Sequence, residues 1–108
     1  MNDALLALYR TVCDRKEHPT EGSYTCYLFD KGIDKILKKC GEECSEVIIA
    51  AKNNSKEETV YEVADLLYHL MVLLVNQQIP IEDVLAELDK RRTKTGNLKK
   101  FHQVDKNS

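Results

Sequence analysis

Apolar residues recur at helical spacing in two stretches of the first half of the chain. Residues 3–16 predict a helix whose apolar face is formed by Leu5, Leu8, Tyr9, Val12 and Cys13. A longer stretch predicts a second helix from about Gly32 to Asn53. Its apolar stripe, at spacings of three and four residues, consists of Ile33, Ile36, Leu37, Cys40, Cys44, Val47, Ile48 and Ala51. Both patterns are typical of helices that bury one face.

The second half of the chain carries an apolar segment, LLYHLMVLLV, bounded by helix signals. Ser55 is a predicted N-cap, and Glu58 three residues later completes a capping-box pattern. The third helix then continues to about Gln78. A fourth helix restarts near Pro80, which suits a first turn, and ends near Arg92.

The segment between the first two helices breaks the helical pattern. Pro19 and Gly22 mark a loop within residues 17–30. We interpret the following YTCYLF as an extended segment, because one strand alone cannot form a sheet. The sequence therefore predicts an all-α fold of about four antiparallel helices. We expect one domain over residues 1–92 and a polar, mobile tail over residues 93–108.

Apolar side chains exceed what four short helices can bury. The second halves of the second and third predicted helices are apolar on more than one face. A monomer leaves one of those faces in water, whereas a second copy of the chain would cover it. We therefore expect a homodimer whose interface completes the helical bundle.

Composition and charge exclude several classes of protein. The chain has 108 residues, 31% of them charged, with a net charge of −2. Bulk basicity therefore does not favour nucleic-acid binding. No apolar run reaches the roughly 20 residues that a membrane span needs, and the start of the chain lacks the features of a signal peptide.

The four cysteines form no CxxC pair. Without a secretory signal, they are expected to be free thiols in a reducing cytoplasm. Cys40 and Cys44 lie four residues apart on a predicted helix, which is a spacing that zinc ligands use. No partner motif accompanies them, so small core residues are the favoured interpretation.

An acidic cluster adjoins the apolar part of the second predicted helix. At about 100° per residue, Glu43 lies at the edge of the apolar stripe, while Glu46 and Glu42 lie further out. The third helix repeats the i, i+3 spacing with Glu62 and Asp65. Charged runs are usually solvated helix faces, so either pair alone would be weak support for a site.

The positions of the two acidic pairs relative to residue 54 strengthen the prediction. If the two helices form a hairpin there, Glu46 and Glu62 are equally distant from the turn, and so are Glu43 and Asp65. Four converging carboxylates in a partly buried place repel one another, so they either retain their protons or need a cation to neutralise them. Oxygen ligands favour Mg²⁺ or Mn²⁺, and Mg²⁺ normally also takes substrate phosphate.

Other polar residues offer candidates for substrate binding. Basic residues near the predicted helix ends, together with Asn53, suit phosphate oxygens, although many will be solvated surface. The candidates are Arg15, Lys16, Lys35, Lys38, Lys39, Lys52, Asn53 and Arg91, with Ser23, Tyr24 and Thr25 from the loop. His69 lies on the acidic strip, either as a hydrogen-bond partner of a carboxylate or, less favoured, as a general base.

Taken together, these motifs resemble a known family. The run EGSYTCYLFDKGIDKILKKCGEECSEVIIAAKN, followed by EVADLLYHLMVLL and IEDVLAELDKR, closely resembles the phosphoribosyl-ATP pyrophosphohydrolases of histidine biosynthesis over roughly residues 5–92. The EExxE…ExxD pattern also resembles the wider all-α nucleotide pyrophosphohydrolases related to MazG. Thr20 departs from the pattern, since the family has proline at that position of the loop.

The resemblance implies a dimeric, Mg²⁺-dependent enzyme that hydrolyses phosphoribosyl-ATP to phosphoribosyl-AMP and pyrophosphate. By carry-over, the metal would be bound by Glu43, Glu46, Glu62 and Asp65. Glu42 would add a ligand or orient the attacking water, which makes Glu42, Glu43 and Glu46 the candidate catalytic residues. Two alternatives stay open: a general nucleoside-triphosphate pyrophosphohydrolase with the same acidic pattern, and a helical dimerisation module without chemistry.

Overall fold

The computed structural model describes residues 3–94. Within that range the chain forms five helices and no strand, in the order α1 (Ala4–Glu17), α2 (Tyr24–Lys31), α3 (Ile33–Lys52), α4 (Lys56–Asn76) and α5 (Ile81–Arg92). The all-α prediction is confirmed. The predicted tail, residues 93–108, lies almost entirely outside the described residues. No helix among residues 3–94 is long and apolar enough to cross a membrane.

The prediction of an extended segment for YTCYLF was wrong, because these residues begin α2. The Ser23 hydroxyl caps the helix by accepting a hydrogen bond from the backbone N–H of Cys26 at 3.2 Å. Gly32 ends it with a φ of 94°, a conformation that favours glycine. Between these two signals, Leu28 is fully buried. A helix of eight residues is held by such packing rather than by its own propensity.

α3 and α4 form the predicted hairpin and pack against each other along their length. Asn54 turns the chain with a φ of 59°. Ser55 caps α4 as predicted, accepting from the N–H of Glu58 at 3.2 Å. The second half of the capping box is not formed, because the N–H of Ser55 is bonded to the carbonyl of Ala50.

The hydrophobic core lies on one side of this hairpin and draws on all five helices. It consists of Val12, Leu28, Ile36, Cys40, Met71, Val72, Val75 and Ile81. α1 and α2 cover that side of the hairpin. Outside the core, the hydroxyl of Tyr9 donates to the carbonyl of Ile79 at 2.8 Å, which ties α1 to the segment between α4 and α5.

The predicted apolar stripe of α3 divides between two faces. Ile36 and Cys40 are buried, whereas Leu37 and Ile48 are exposed. Cys44 is also exposed, so its interpretation as a core residue was wrong in this chain. The buried face is centred slightly further around the helix than the stripe suggested, and it therefore includes Glu43.

An apolar groove of about 610 Å³ lies on the hairpin near its turn. Ala51 of α3 and, from α4, Val60, Val63, Ala64 and Leu67 line it. The surplus apolar surface thus lies in the second half of α3 and the first half of α4. The prediction was wrong about the second half of α4, where Met71, Val72 and Val75 are buried in the core.

Candidate functional site

The hairpin brings Glu43 of α3 and Asp65 of α4 together, as their equal distance from the turn predicted. A third residue, His69, lies one turn beyond Asp65 on α4. Each of the three side chains offers a ligand atom within 4.8 Å of the others. We call this group the carboxylate site.

Glu43 is the buried member of the site, with 6% of the residue exposed. Within the described part of the chain, its Oε1 atom is buried without a hydrogen-bond partner. Burial, followed by the hydrogen bond and charge of Asp65, raises the pKa of Glu43 from 4.5 to about 7. A buried carboxyl group with an unpaired oxygen is costly unless a proton or a cation accompanies it.

The other two predicted metal ligands are less closely engaged. Glu62 is partly buried, and its charge adds to the raised pKa of Glu43. Glu46 is exposed. The structure therefore places one carboxylate from each predicted pair in direct contact and leaves the second of each pair nearer to solvent.

Lys39 is the cation beside the site. Its ammonium group lies 3.2 Å from a carboxylate oxygen of Glu42 and 3.7 Å from one of Glu43. The hydrogen bond with Glu42 is the main reason that the pKa of Lys39 is raised. Glu42 itself is exposed, as its helical angle predicted, so Lys39 connects it electrostatically to the buried site.

The three loop residues proposed as substrate contacts are engaged within the protein. Ser23 caps α2. The hydroxyl of Tyr24 lies 3.1 Å from Nε2 of His69, and the hydroxyl of Thr25 is hydrogen-bonded to that of Tyr68. The segment therefore docks α2 onto α4, which brings Tyr24 next to the carboxylate site.

The remaining predicted phosphate-binding residues are spread over the surface. The ammonium group of Lys16 lies 4.9 Å from the centre of the Phe29 ring, and that of Lys35 lies 5.9 Å from the centre of the Tyr27 ring. Arg15 pairs with Asp14, and Arg91 pairs with Glu87 on its own helix. Lys38, Lys52 and Asn53 are exposed. Lys39 is the candidate that the structure places against Glu43.

The donor atoms of the site fit a hard divalent cation. Glu43 and Asp65 supply carboxylate oxygens, and Glu43 Oε1 is buried and unpaired. Carboxylate oxygens are the ligands that Mg²⁺ and Mn²⁺ prefer. Zinc at Cys40 and Cys44 is not favoured, because the buried Cys40 thiol donates to the carbonyl of His69 and Cys44 is exposed.

Fold and site together define an all-α protein whose central helical hairpin carries facing carboxylates. The sequence model of the phosphoribosyl-ATP pyrophosphohydrolase family matches residues 5–92. The chain therefore belongs to that family.

Named relatives agree with this assignment. The chain is 55% identical to a "Phosphoribosyl-ATP pyrophosphatase" of Clostridium novyi, over 90% of this chain and 88% of the relative. It is 51% identical to a protein of the same name from Bacillus mycoides, over 97% of this chain and 98% of the relative. It is also 60% identical to part of the "Histidine biosynthesis bifunctional protein HisIE" of Caldanaerobacter subterraneus, covering 85% of this chain and 45% of that protein.

Sequence reasoning missed the contribution of α2 to the site. Tyr24 appeared among the candidates, but its bond to His69 did not, because that bond depends on how α2 docks. The available signal was the pairing of Ser23, a good N-cap, with Gly32, a good helix terminator, nine residues later.

Proposed function

We propose that this chain hydrolyses phosphoribosyl-ATP to phosphoribosyl-AMP and pyrophosphate, the second step of histidine biosynthesis. The observation that carries the proposal is the buried carboxylate of Glu43, which has one unpaired oxygen and lies beside Asp65, in a chain of this family. Such a site is suited to a substrate that brings a divalent cation with its phosphates. The names of the relatives support the choice of substrate.

We further propose that Mg²⁺, or Mn²⁺ in its place, is the cofactor. Glu43 and Asp65 would hold it, with Glu46 and Glu62 as the outer members of the set. When bound, the ion would offset the negative charge of the phosphates and of the leaving pyrophosphate.

The side chains around the site then have distinct tasks. In the proposed reaction, water attacks the α–β phosphoanhydride, the P–O bond breaks, and pyrophosphate leaves. Glu42 or Glu46, both exposed, would orient that water and accept its proton. Lys39, beside Glu43, would stabilise negative charge on the phosphate oxygens.

A homodimer is part of this proposal. Val60, at 62% exposed, and the rest of the apolar groove would be covered by a second copy of the chain. A groove that is apolar and lies on the central hairpin favours such a partner. The free cysteines and the family of biosynthetic enzymes support a cytoplasmic location.

One experiment tests the proposed reaction. The pure chain is incubated with phosphoribosyl-ATP, ATP and dNTPs, each with and without Mg²⁺, and the products are separated by chromatography. We expect phosphoribosyl-AMP and pyrophosphate, formed only with the metal. Equal hydrolysis of ATP and dNTPs would instead indicate a general nucleotide pyrophosphohydrolase, and no hydrolysis of any substrate would indicate a helical module without chemistry.

A single substitution tests the proposed set of four acidic residues, Glu43, Glu46, Glu62 and Asp65. Glu46→Gln should abolish turnover of phosphoribosyl-ATP, because the exposed carboxylate would be lost from the set while helix α3 is kept. Circular dichroism should show unchanged helix content. Full activity of this variant would remove Glu46 from the proposed site.

A further inference from the structure

Two consecutive residues of α2 are bonded to two consecutive residues of α4. The hydroxyl of Tyr24 lies 3.1 Å from Nε2 of His69, and the hydroxyl of Thr25 is bonded to that of Tyr68. The two bonds join the same pair of helices at neighbouring positions. They differ in the residue of α4 that they engage: His69 offers a ligand atom to the carboxylate site, whereas Tyr68 is a neighbour whose ring packs against that of His69.

The ring of His69 is held at both nitrogens. Nδ1 lies 2.9 Å from the backbone carbonyl oxygen of Asp65 and 3.4 Å from the Oδ1 atom of the same residue. Since a carbonyl oxygen only accepts hydrogen bonds, Nδ1 carries the hydrogen. In the neutral ring, Nε2 is then the acceptor and receives the hydrogen bond from the Tyr24 hydroxyl. The residue is 2% exposed, so water does not compete at either nitrogen.

The Tyr24 hydroxyl consequently lies among the charges of the carboxylate site. Burial is the main cause of its raised pKa, and the charges of Asp65 and Glu43 add to that rise while Lys39 opposes it. Tyr24 is nevertheless 45% exposed, so a bound substrate can reach its ring. Tyr24 therefore has its hydroxyl fixed to His69 and nearly half of its surface open to solvent.

We propose that His69 is a positioning residue that holds Tyr24 beside Glu43 and Asp65, so that the substrate meets the tyrosine and the carboxylates as one rigid unit. The inference rests on the proposed hydrolysis of phosphoribosyl-ATP. His69 acts through Tyr24 and does not take a proton from the attacking water, since both of its nitrogens are already engaged.

The test compares four variants with the wild type on phosphoribosyl-ATP and Mg²⁺. Tyr24→Phe and His69→Leu should each lower kcat/KM by about 30-fold, as expected when a group at the reacting centre is misplaced. The double variant should be no worse than the poorer single one, because both changes break the same bond. His69→Gln, whose amide oxygen reaches the position of Nε2, should restore most of the activity lost in His69→Leu.

Tyr68→Phe is the matched control. It removes the neighbouring α2–α4 hydrogen bond and keeps the ring that packs against Tyr24 and His69. We expect Tyr68→Phe and Tyr24→Phe to lower the Tm by similar amounts, while kcat/KM falls only in Tyr24→Phe. Equal losses of kcat/KM in the two variants would mean that the bonds merely hold α2 in place. Losses in Tyr24→Phe and His69→Leu that multiply in the double variant would also overturn the proposal.

A spectroscopic measurement tests the positioning geometry without an activity assay. In the ¹⁵N-labelled, metal-free full chain, long-range ¹H–¹⁵N spectra distinguish which ring nitrogen of His69 is protonated. We expect the Nδ1–H tautomer, and an Nε2–H tautomer would overturn the proposal. If the wild type fails to hydrolyse phosphoribosyl-ATP, the proposed function fails in that assay, whereas the tautomer decides the positioning geometry separately.

Discussion

The central hairpin of α3 and α4 buries a carboxylate on one face and exposes aliphatic side chains on another. At the carboxylate site, Glu43 is buried with an unpaired oxygen. In the apolar groove, Val60 and Leu67 remain exposed. Stability of an isolated chain would favour the reverse arrangement. Under the proposed function, each face has an occupant that would explain it: a cation and substrate on the first, and a second copy of the chain on the second.

Among the buried or apolar residues of these two faces, the largest effect is expected from Glu43→Gln, which keeps the volume of the buried side chain and removes its charge. Losing a cation ligand should lower kcat by about 1,000-fold, equivalent to roughly 4 kcal/mol of transition-state stabilisation. Glu57→Gln, an exposed change in the first turn of α4, is the control and should stay near the wild-type rate. Comparable activity of the two variants would show that burial of Glu43 is unrelated to catalysis.

Val60→Glu tests the other face. A charge in a covered groove is strongly unfavourable, so the dimer dissociation constant should rise by about 100-fold or more. Light scattering after size exclusion at low micromolar concentration measures this as a shift from dimer to monomer. Leu88→Glu is the control, since Leu88 is 55% exposed on α5, away from the groove. A wild type that is already monomeric would contradict the proposed dimer.

The pH dependence of the unfolding free energy should reveal the raised pKa of Glu43 directly. Its pKa is about 7 in the folded, metal-free chain and near its ordinary value after unfolding. The folded state therefore binds the proton more tightly. The resulting stabilisation is complete below about pH 4.5 and is lost as the pH rises through 7. The shift corresponds to about 3 kcal/mol of unfolding free energy.

Urea unfolding with a chelator, from pH 4.5 to 8, measures this contribution. Glu43→Gln cannot ionise, so its unfolding free energy should fall less with rising pH than that of the wild type. Added Mg²⁺ should recover stability in the wild type at pH 8 and not in the variant. Parallel pH profiles for the two proteins would contradict the assignment of the raised pKa to Glu43.

The smallest effect on stability is expected at the turn that joins α3 and α4. Ser55→Ala removes the N-cap of α4 and should lower the unfolding free energy by about 1 kcal/mol. Ser45→Ala is the control, because the Ser45 hydroxyl only bonds the carbonyl four residues earlier in α3. That change should be neutral or slightly stabilising. Chemical denaturation of both variants distinguishes the loss of a cap from the loss of any serine.

The parts of this structure that follow from local spacing were predictable from the sequence. Helical periodicity gave the four longer helices, and the position of Ser55 placed the hairpin turn. Because helix rise is regular, equal distances from that turn brought Glu43 and Asp65 together. The roles of Glu46 and Glu62 stay predictions.

The parts that depend on tertiary docking were not predictable in the same way. α2 has two turns, too few to display a period, and its stability comes from Leu28 in the core. The bond between Tyr24 and His69 follows from that docking. The apolar stripe of α3 also combined residues of two different surfaces, which placed Glu43 at its edge instead of inside the buried face.

The short connection between α3 and α4 has a consequence for how the site forms. Asn53, Asn54 and Ser55 alone separate the two helices, so closing this hairpin costs little chain entropy. Contacts between segments close in sequence form quickly during folding. We therefore expect Glu43 and Asp65 to meet early, before Tyr24 arrives with α2. Proline substitutions or insertions near residue 54 should then slow folding more than equivalent changes between α1 and α2.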